Sequence, residues 1–437
     1  MPEALEASLL DGLNRSQRAA VTHPGGPLIV VAGAGTGKTR TLTRRLAWLV
    51  EQGSAPDEIL ALTFSSAAAA EMRERVDSLI QAPYEELHVD TFHAFCSRLL
   101  QDEALEAGLD PFFTTVTPAD RLALLLERID ELTLRHHQIR GNPAPLLASF
   151  VSRIDRLKDE LVSVADYRAY AQRLGEGESD AERASAARER EFAQLYADHD
   201  RLLDECGALG FGDLIVRAFR LLHEKPHVRE RVARRFKHVL VDEYQDTNFA
   251  QGMLLRLLVE EHGNVTVVGD DDQAIYRFRG ASQKNLRDFE RELPDATVVR
   301  LERNYRSGRR ILTAAGAVVE PLPERIDKKL TGAAGGDVRF WRCNSERAQA
   351  QAVAAEAERL VTGKGVPASQ VCVLVRSVKN EGNVVGAALE ERALPFRLSG
   401  SAAYFQRAEV RDVLAWLRLL ADPGDSGAVV RALSRPP

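Results

Sequence analysis

The run Ala32-Gly33-Ala34-Gly35-Thr36-Gly37-Lys38-Thr39 constrains this chain more than any other segment. It follows the apolar stretch PLIVV directly and opens the helical pattern TRTLTRRLAWLV, so a buried strand must turn into a helix through a loop carrying three glycines. Such a loop can aim backbone N–H groups inward around phosphate oxygens. Lys38 has the reach for β- and γ-phosphates, the Thr39 hydroxyl suits Mg²⁺, and the helix N-terminus adds partial positive charge. The usual pattern begins with Gly where this chain has Ala32. The competing reading is a glycine-rich turn with no ligand, which leaves the strand-loop-helix context to coincidence.

Further short β-branched runs stand at Ile59 to Phe64, His88 to Thr91, His238 to Val241, Val265 to Gly269 and Thr297 to Leu301, most of them followed by helical patterns. Buried parallel strands with crossover helices fit this spacing. Between Ala94 and Arg235 a 3.6-residue periodicity replaces the strand signals, as in RLALLLERIDEL and REREFAQLYADHDRLLDE, which predicts an inserted helical subdomain. Its charged centre from Gly175 reads as a solvated loop running into a helix. After the Thr297 strand, a Gly/Ala/Lys-rich turn region at Lys328 to Gly336 leads to a predicted strand from Asp337, a helix over Ser345 to Thr362, a strand at Gln370 to Arg376 and a helix at Asn383 to Ala393.

Two acidic runs end predicted strands. In Val239-Leu240-Val241-Asp242-Glu243, carboxylates stand at the carboxyl end of a strand in a sheet that also holds the phosphate loop. Asp242 is suited to hold the metal, and Glu243 to orient and deprotonate water. Taken alone, such a pair is more often a solvated strand end. The run Gly269-Asp270-Asp271-Asp272-Gln273-Ala274-Ile275-Tyr276-Arg277-Phe278-Arg279-Gly280 interleaves two aromatics with two arginines, a composition that suits single-stranded nucleic acid, although a Tyr-x-Phe pair is also common in cores.

Composition narrows the remainder. No apolar run approaches the ~20 residues that cross a bilayer, and the N-terminus lacks a basic start before an apolar stretch, so spanning and secretion are not expected. Cys96, Cys206, Cys343 and Cys372 are far apart and form no CxxC pair. That argues against a disulfide framework, a zinc ribbon or a cluster, leaves Mg²⁺ as the only expected metal, and points to a cytoplasmic protein. A formal net charge of −6 advertises no nucleic acid, so any such site would be a local patch. The cations are 49 Arg and only 9 Lys, a bias open to two accounts, genome composition or guanidinium recognition of phosphate.

The ordered set LNxxQ (Leu13, Asn14, Gln17), AGAGTGKT, LTFSSAAAAEMRERV, TFHAFC, FGDLI, VDEYQD, GDDDQAIYRFRGA and LERNYRS resembles the superfamily 1A DNA helicases of the UvrD/PcrA/Rep type, whose motor is shared by RecB- and AdnAB-like helicase-nuclease subunits. The resemblance covers nearly the whole chain. It implies an α/β fold in which a RecA-like P-loop NTPase parallel sheet carries an inserted helical subdomain and is followed by an incomplete second RecA-like domain. Domain 1A would comprise residues 1–95 and 205–290, domain 1B residues 96–204, and the first part of domain 2A residues 291–437.

The resemblance also implies roles. Gln17 would bond the adenine edge and Tyr305 stack on its face, with Arg40 and Arg306 near the nucleotide and Arg306 acting as an arginine finger. Ala32 to Thr39 would hold ATP, with Thr39 and Asp242 on Mg²⁺, Glu243 as base and Gln273 sensing the γ-phosphate. Phe64, Thr91, His93, Tyr276, Phe278 and Arg279 would line a track for single-stranded DNA, the partner expected together with a 3′-tailed duplex. Phe278 stands where many relatives have Trp, and Ser65-Ser66-Ala67 where many have Thr-Asn-Lys, which removes a basic side chain. The family's later Thr-x-His-x-x-Lys-Gly segment and its second finger in a Thr-Arg-Ala segment do not occur in these residues. Three functions remain open: a 3′-to-5′ helicase and translocase in repair, recombination or replication, the motor of a helicase-nuclease subunit, and a nucleotide-gated DNA-binding protein without turnover.

Overall fold

The expected apolar runs pair as one six-stranded sheet in the order His88–Thr91, Ile59–Thr63, His238–Val241, Val265–Gly269, Leu28–Ala32, Thr297–Leu301. The computed structural model describes residues 9–80, 86–137, 141–175, 179–276, 280, 284–399, 408–421, 429 and 432. The strands are β1 (Leu28–Ala32), β2 (Ile59–Thr63), β3 (His88–Thr91), β4 (Thr114–Val116), β5 (Ala208–Gly210), β6 (His238–Val241), β7 (Val265–Gly269) and β8 (Thr297–Leu301). Every ladder is parallel: Val30 aligns with Val268 of β7 and Val299 of β8, and Leu60 with Val239 of β6 and His88 of β3.

Alternation along the strands builds two cores. Ile29, Val31, Leu60, Leu62, Val239 and Val241 face helices Phe92–Asp102, Phe211–Glu224 and Phe249–Val259. Leu28, Val30, Ile59, Ala61, Leu240 and Val268 face the opposite layer, where Leu42 and Leu46 of helix Lys38–Glu51 and Met72 and Val76 of helix Ser66–Asp77 pack. Each fully buried Leu or Ile contributes roughly 1.5 to 3 kcal/mol, which explains why these strands read as continuous apolar runs. Arg45 is buried against the second layer and donates to the carbonyls of Ala20, Val21 and His23 and to Thr266 Oγ1, tying the loop before β1 to β7.

The insertion is not purely helical. Its core (Leu125, Leu147, Phe150, Ile154, Phe192, Tyr196) lies among helices Pro118–Glu127, Ala144–Asp159, Val164–Arg173 and Asp180–Glu205. Its two ends are joined by a three-residue parallel ladder between β4 and β5, which periodicity over such short segments could not reveal. Helix Phe92–Asp102 packs Cys96, Leu99 and Leu100 into the first core. No described helix is long and apolar enough to cross a membrane.

The chain divides into two compact units, residues 1–338 and 339–437, so that β8 falls in the first. β8 pairs with β1 along five registered positions and therefore belongs to the first sheet. In the second unit, helices Glu346–Glu358 and Asn383–Glu390 pack through Ala350, Ala354, Ala388 and Leu389. The strands expected from Asp337 and at Gln370 to Arg376 are not formed: both segments run without ladder partners among the described residues, and Phe340 and Leu374 are each 91% exposed. A β-branched run becomes a strand only when a neighbour accepts its hydrogen bonds.

If β8 and the following segment complete the first unit, residues 1–338 should unfold cooperatively in urea. Cutting after residue 294 strips β1 of a neighbour and should lower stability by roughly 3 kcal/mol or more. Circular dichroism melts of the two fragments compare them, and equal stability would detach β8 from the unit.

Candidate nucleotide and nucleic-acid site

Helix Arg15–Val21 starts at a capping box. Asn14 Oδ1 accepts from Gln17 N–H and Gln17 Oε1 accepts from Asn14 N–H, which aims the buried Gln17 amide at the loop, where Nε2 donates to the Thr36 carbonyl at 2.9 Å. β1 ends at Ala32 and helix Lys38–Glu51 begins at Lys38, so Gly33 to Gly37 make the turn. Thr36 Oγ1 closes it by donating to the Gly33 carbonyl at 2.7 Å. Gly35 has φ +72°, and a Cβ there would meet Arg306 Cβ at 2.7 Å and the Asn304 amide at 2.8 Å, so the position needs glycine for two reasons.

The segment after β8 lies over this loop. Tyr305 N–H donates to the Gly35 carbonyl at 2.8 Å, Asn304 Nδ2 bonds the Ala34 carbonyl, and the Leu330 side chain lies against Gly33. Asn304 Oδ1 accepts from the N–H groups of Arg306 and Ser307 and so shapes the turn. The Tyr305 hydroxyl accepts from Asn14 Nδ2 at 2.9 Å while its ring stays 53% exposed. Gln17, Tyr305 and Arg306 thus converge on one loop from sequence positions far apart. Arg40 lies on the first turn of the helix, its guanidinium against Gly12 and the Asp11 carbonyl, and Thr39 is half-buried beside it.

Opposite the loop, β6 delivers Asp242 and Glu243. Lys38 Nζ donates to Glu243 Oε2 at 2.6 Å, and Gln245 Nε2 donates to the same oxygen at 2.7 Å. Glu243 adopts φ +51°, an uncommon left-handed backbone for a residue with a Cβ, and its N–H donates to Asp242 Oδ1. Burial, and secondarily the charge of Glu243, push the Asp242 carboxyl up to about 6; Asp246 is raised to about 6 by the same causes. A desolvated Asp242 carboxylate near Lys38, with Lys38 and Thr39 at the end of the glycine loop, is a donor set fitted to a phosphate chain with a divalent cation.

The site continues into β7. Gln245 Oε1 accepts from Asp270 N–H at 2.8 Å, and Gln273 Nε2 donates to Asp270 Oδ2 at 2.5 Å. Three residues on, the Tyr276 ring lies 4.9 Å from Phe64 between centroids, at 36°. A cleft of about 480 Å³ is lined by Phe64, Thr91, His93 and Phe211 and reaches Asp242 and Glu243. Thr91 caps helix Phe92–Asp102 by accepting from Ala94 N–H, and His93 meets Phe211 edge-on at 5.5 Å. Phe64, Thr91, His93 and Tyr276 therefore surround or adjoin one aromatic cleft, whereas Phe278 and Arg279 lie outside the described residues. Sequence reading missed Asn304, Gln245 and Leu330. Gln245, inside the acidic motif itself, carried a signal; the other two become visible only when β8 is seated beside β1.

The UvrD/REP helicase N-terminal domain matches residues 13–294 and the UvrD-like helicase C-terminal domain residues 299–437. The ATP-dependent DNA helicase UvrD1 of Mycobacterium tuberculosis is 40% identical over 98% of this chain and 55% of its own length. PcrA of Bacillus subtilis and DNA helicase II of Escherichia coli K12 are each 35% identical over 98% of this chain, which covers 56% and 57% of them. The chain spans a little over half the length of these relatives. On the two family matches and these relatives, the chain belongs to the UvrD/REP helicase family.

Proposed function

We propose that this chain is the nucleotide-hydrolysing motor portion of an ATP- and Mg²⁺-dependent 3′-to-5′ DNA helicase and translocase. It would act on single-stranded DNA and 3′-tailed duplex in cytoplasmic repair, recombination or replication. The observation that carries the reading is one hydrogen-bonded path, Lys38 to Glu243 to Gln245 to Asp270 to Gln273, which joins the phosphate loop to the turn leading to Tyr276 and Phe64. The names of the relatives, all ATP-dependent DNA helicases or DNA helicase II, support the activity, and the polarity rests on resemblance to the family. In this reading residues 1–95 and 205–290 act as domain 1A, 96–204 as 1B, and 291–437 as the first part of 2A.

In the proposed mechanism Lys38 leaves Glu243 to meet the β- and γ-phosphate oxygens, which frees the Glu243 carboxylate to take a proton from the attacking water. That water's oxygen bonds the γ-phosphorus as the bond to the β,γ-bridging oxygen breaks and ADP departs. Thr39 and Asp242 would hold Mg²⁺, which would supply charge neutralisation for the phosphate chain. Gln17 and Tyr305 take the adenine, Arg40 lies near the nucleotide, and Arg306 brings positive charge to the γ-phosphate. Gln273 reads whether that phosphate is present. Single-stranded bases stack at Phe64 and Tyr276, with Thr91 and His93 along the cleft and Phe278 and Arg279 continuing the track.

Two consequences are measurable. Lys38→Ala should lose both tight nucleotide binding and hydrolysis, whereas Glu243→Gln should bind nucleotide like the parent and hydrolyse at least about a hundredfold more slowly, because only the carboxylate acts on water. Fluorescent-nucleotide titration with phosphate-release kinetics separates these effects, and turnover by Glu243→Gln at the parent's rate removes Glu243 as base.

The second concerns pH. The Asp242 carboxyl is raised in the folded state to about 6 from its ordinary 3.8, so between those values the folded protein binds more protons than the unfolded one. Without divalent cation, the Asp242 contribution should therefore make stability rise as pH falls through about 6 towards 4. Proton and Mg²⁺ compete for the same oxygens, so Mg²⁺-dependent nucleotide affinity should weaken below about pH 6, by up to roughly tenfold per unit. Asp242→Asn should flatten both profiles, and unchanged profiles would dissociate Asp242 from the metal.

A further inference from the structure

Three consecutive carboxylates leave β7 with almost no access to water: the Asp270, Asp271 and Asp272 side chains are 3%, 1% and 11% exposed. Their oxygens lie close enough together to suggest a cation site. The structure fills it from its own chain. Lys328, 1% exposed, sets its ammonium 2.9 Å from Asp270 Oδ1 and 2.9 Å from Asp272 Oδ2, with a third contact to Asp271. Arg325 grips Asp272 with two bonds, of 2.6 and 2.9 Å, and Ile326 N–H donates to Asp271 Oδ2 at 2.7 Å. An ammonium has three donors, and here each finds a carboxylate. Burial alone would lower the Lys328 pKa, but the three aspartates outweigh it and raise it, so the charge is kept.

The clamp connects to the hydrolytic residues through Asp270. Its carboxylate is shared between Lys328 and Gln273, and its N–H is held by Gln245, whose amide nitrogen holds Glu243. We propose that Lys328, supported by Arg325, is a positioning residue for hydrolysis: it fixes the Asp270–Asp272 turn from which Gln273 extends and, through Gln245, keeps Glu243 in register with Lys38. This rests on the hydrolytic reading of the site. Lys328 acts through other residues; its ammonium is engaged by the three aspartates. The clamp segment lies in the stretch matched by the C-terminal family domain yet is packed in the first unit, so residues downstream of β8 set the geometry of residues upstream of it.

The test uses the 437-residue chain in steady-state phosphate release with saturating single-stranded DNA, alongside nucleotide titration and a thermal melt. Lys328→Met, similar in length and uncharged, should lower kcat by about tenfold or more, with KM and nucleotide affinity within about threefold of the parent. Lys328→Arg should recover part of that loss. A folded Lys328→Met with the parent's kcat overturns the proposal, as does a loss confined to nucleotide affinity. Because removing one partner from buried charges is costly, Lys328→Met could fail to fold. In that event Arg325→Gln, which leaves Lys328 in place, decides: kcat reduced by about threefold or more at unchanged KM supports the clamp, and parental kcat refutes it. If Glu243→Gln hydrolyses like the parent, the hydrolytic reading itself is at fault. If it is inactive while the clamp variants run at full rate, only this inference falls.

Discussion

The ladder that holds β7 between β6 and β1 is the contact on which the site depends. Val241 aligns with Val267 and Val31 with Gly269, so the three strands end at nearly the same level. Their carboxyl ends then place the glycine loop, the Asp242-Glu243 pair and the Asp270 turn side by side, in the region where ligands meet open parallel sheets. Gly269 makes the last approach possible, since a Cβ there would meet Gln245 Oε1 at 2.7 Å. A register slip of one residue would exchange the side chains of the two cores and separate Lys38 from Glu243 at once.

Much of this was readable because buried parallel strands and glycine loops are local signals. The six runs that make the sheet were recognisable from β-branched apolar composition, and the tight loop leaving β1 from glycines between a strand and a helix. The same reading failed at Asp337 and at Gln370 to Arg376, where composition favours a strand but no described neighbour completes a ladder. It also failed at β4 and β5, whose three residues each carry too little pattern and owe their pairing to closure of the insertion.

The polar part of the site was legible as residue types and illegible as contacts. Asp242, Glu243 and Gln273 stand out in sequence, but nothing local foretells that Lys328, within an apparent turn region, is the counterion for three aspartates more than fifty positions earlier. Asn304 is similar. It stood in the LERNYRS motif, yet its contact with the Ala34 carbonyl depends on β8 lying beside β1. The left-handed backbone at Glu243 was likewise hidden, because a strand-terminal acidic pair gives no sign of φ, and its cost of about 1 to 3 kcal/mol is borne by the surrounding buried ladder.

The strand order has a consequence for the chain as it leaves the ribosome. β2 is buried along its whole length between β3 and β6, and β6 begins about 175 residues downstream of its end. At ordinary synthesis rates of about 5 to 20 residues per second, Ile59 to Thr63 wait roughly 10 to 35 seconds for their second neighbour. During that interval the insertion can close its own helical core from local contacts, while the half-built sheet offers an apolar, unpaired edge to whatever is nearby. Until β6 arrives, β2 keeps that edge open.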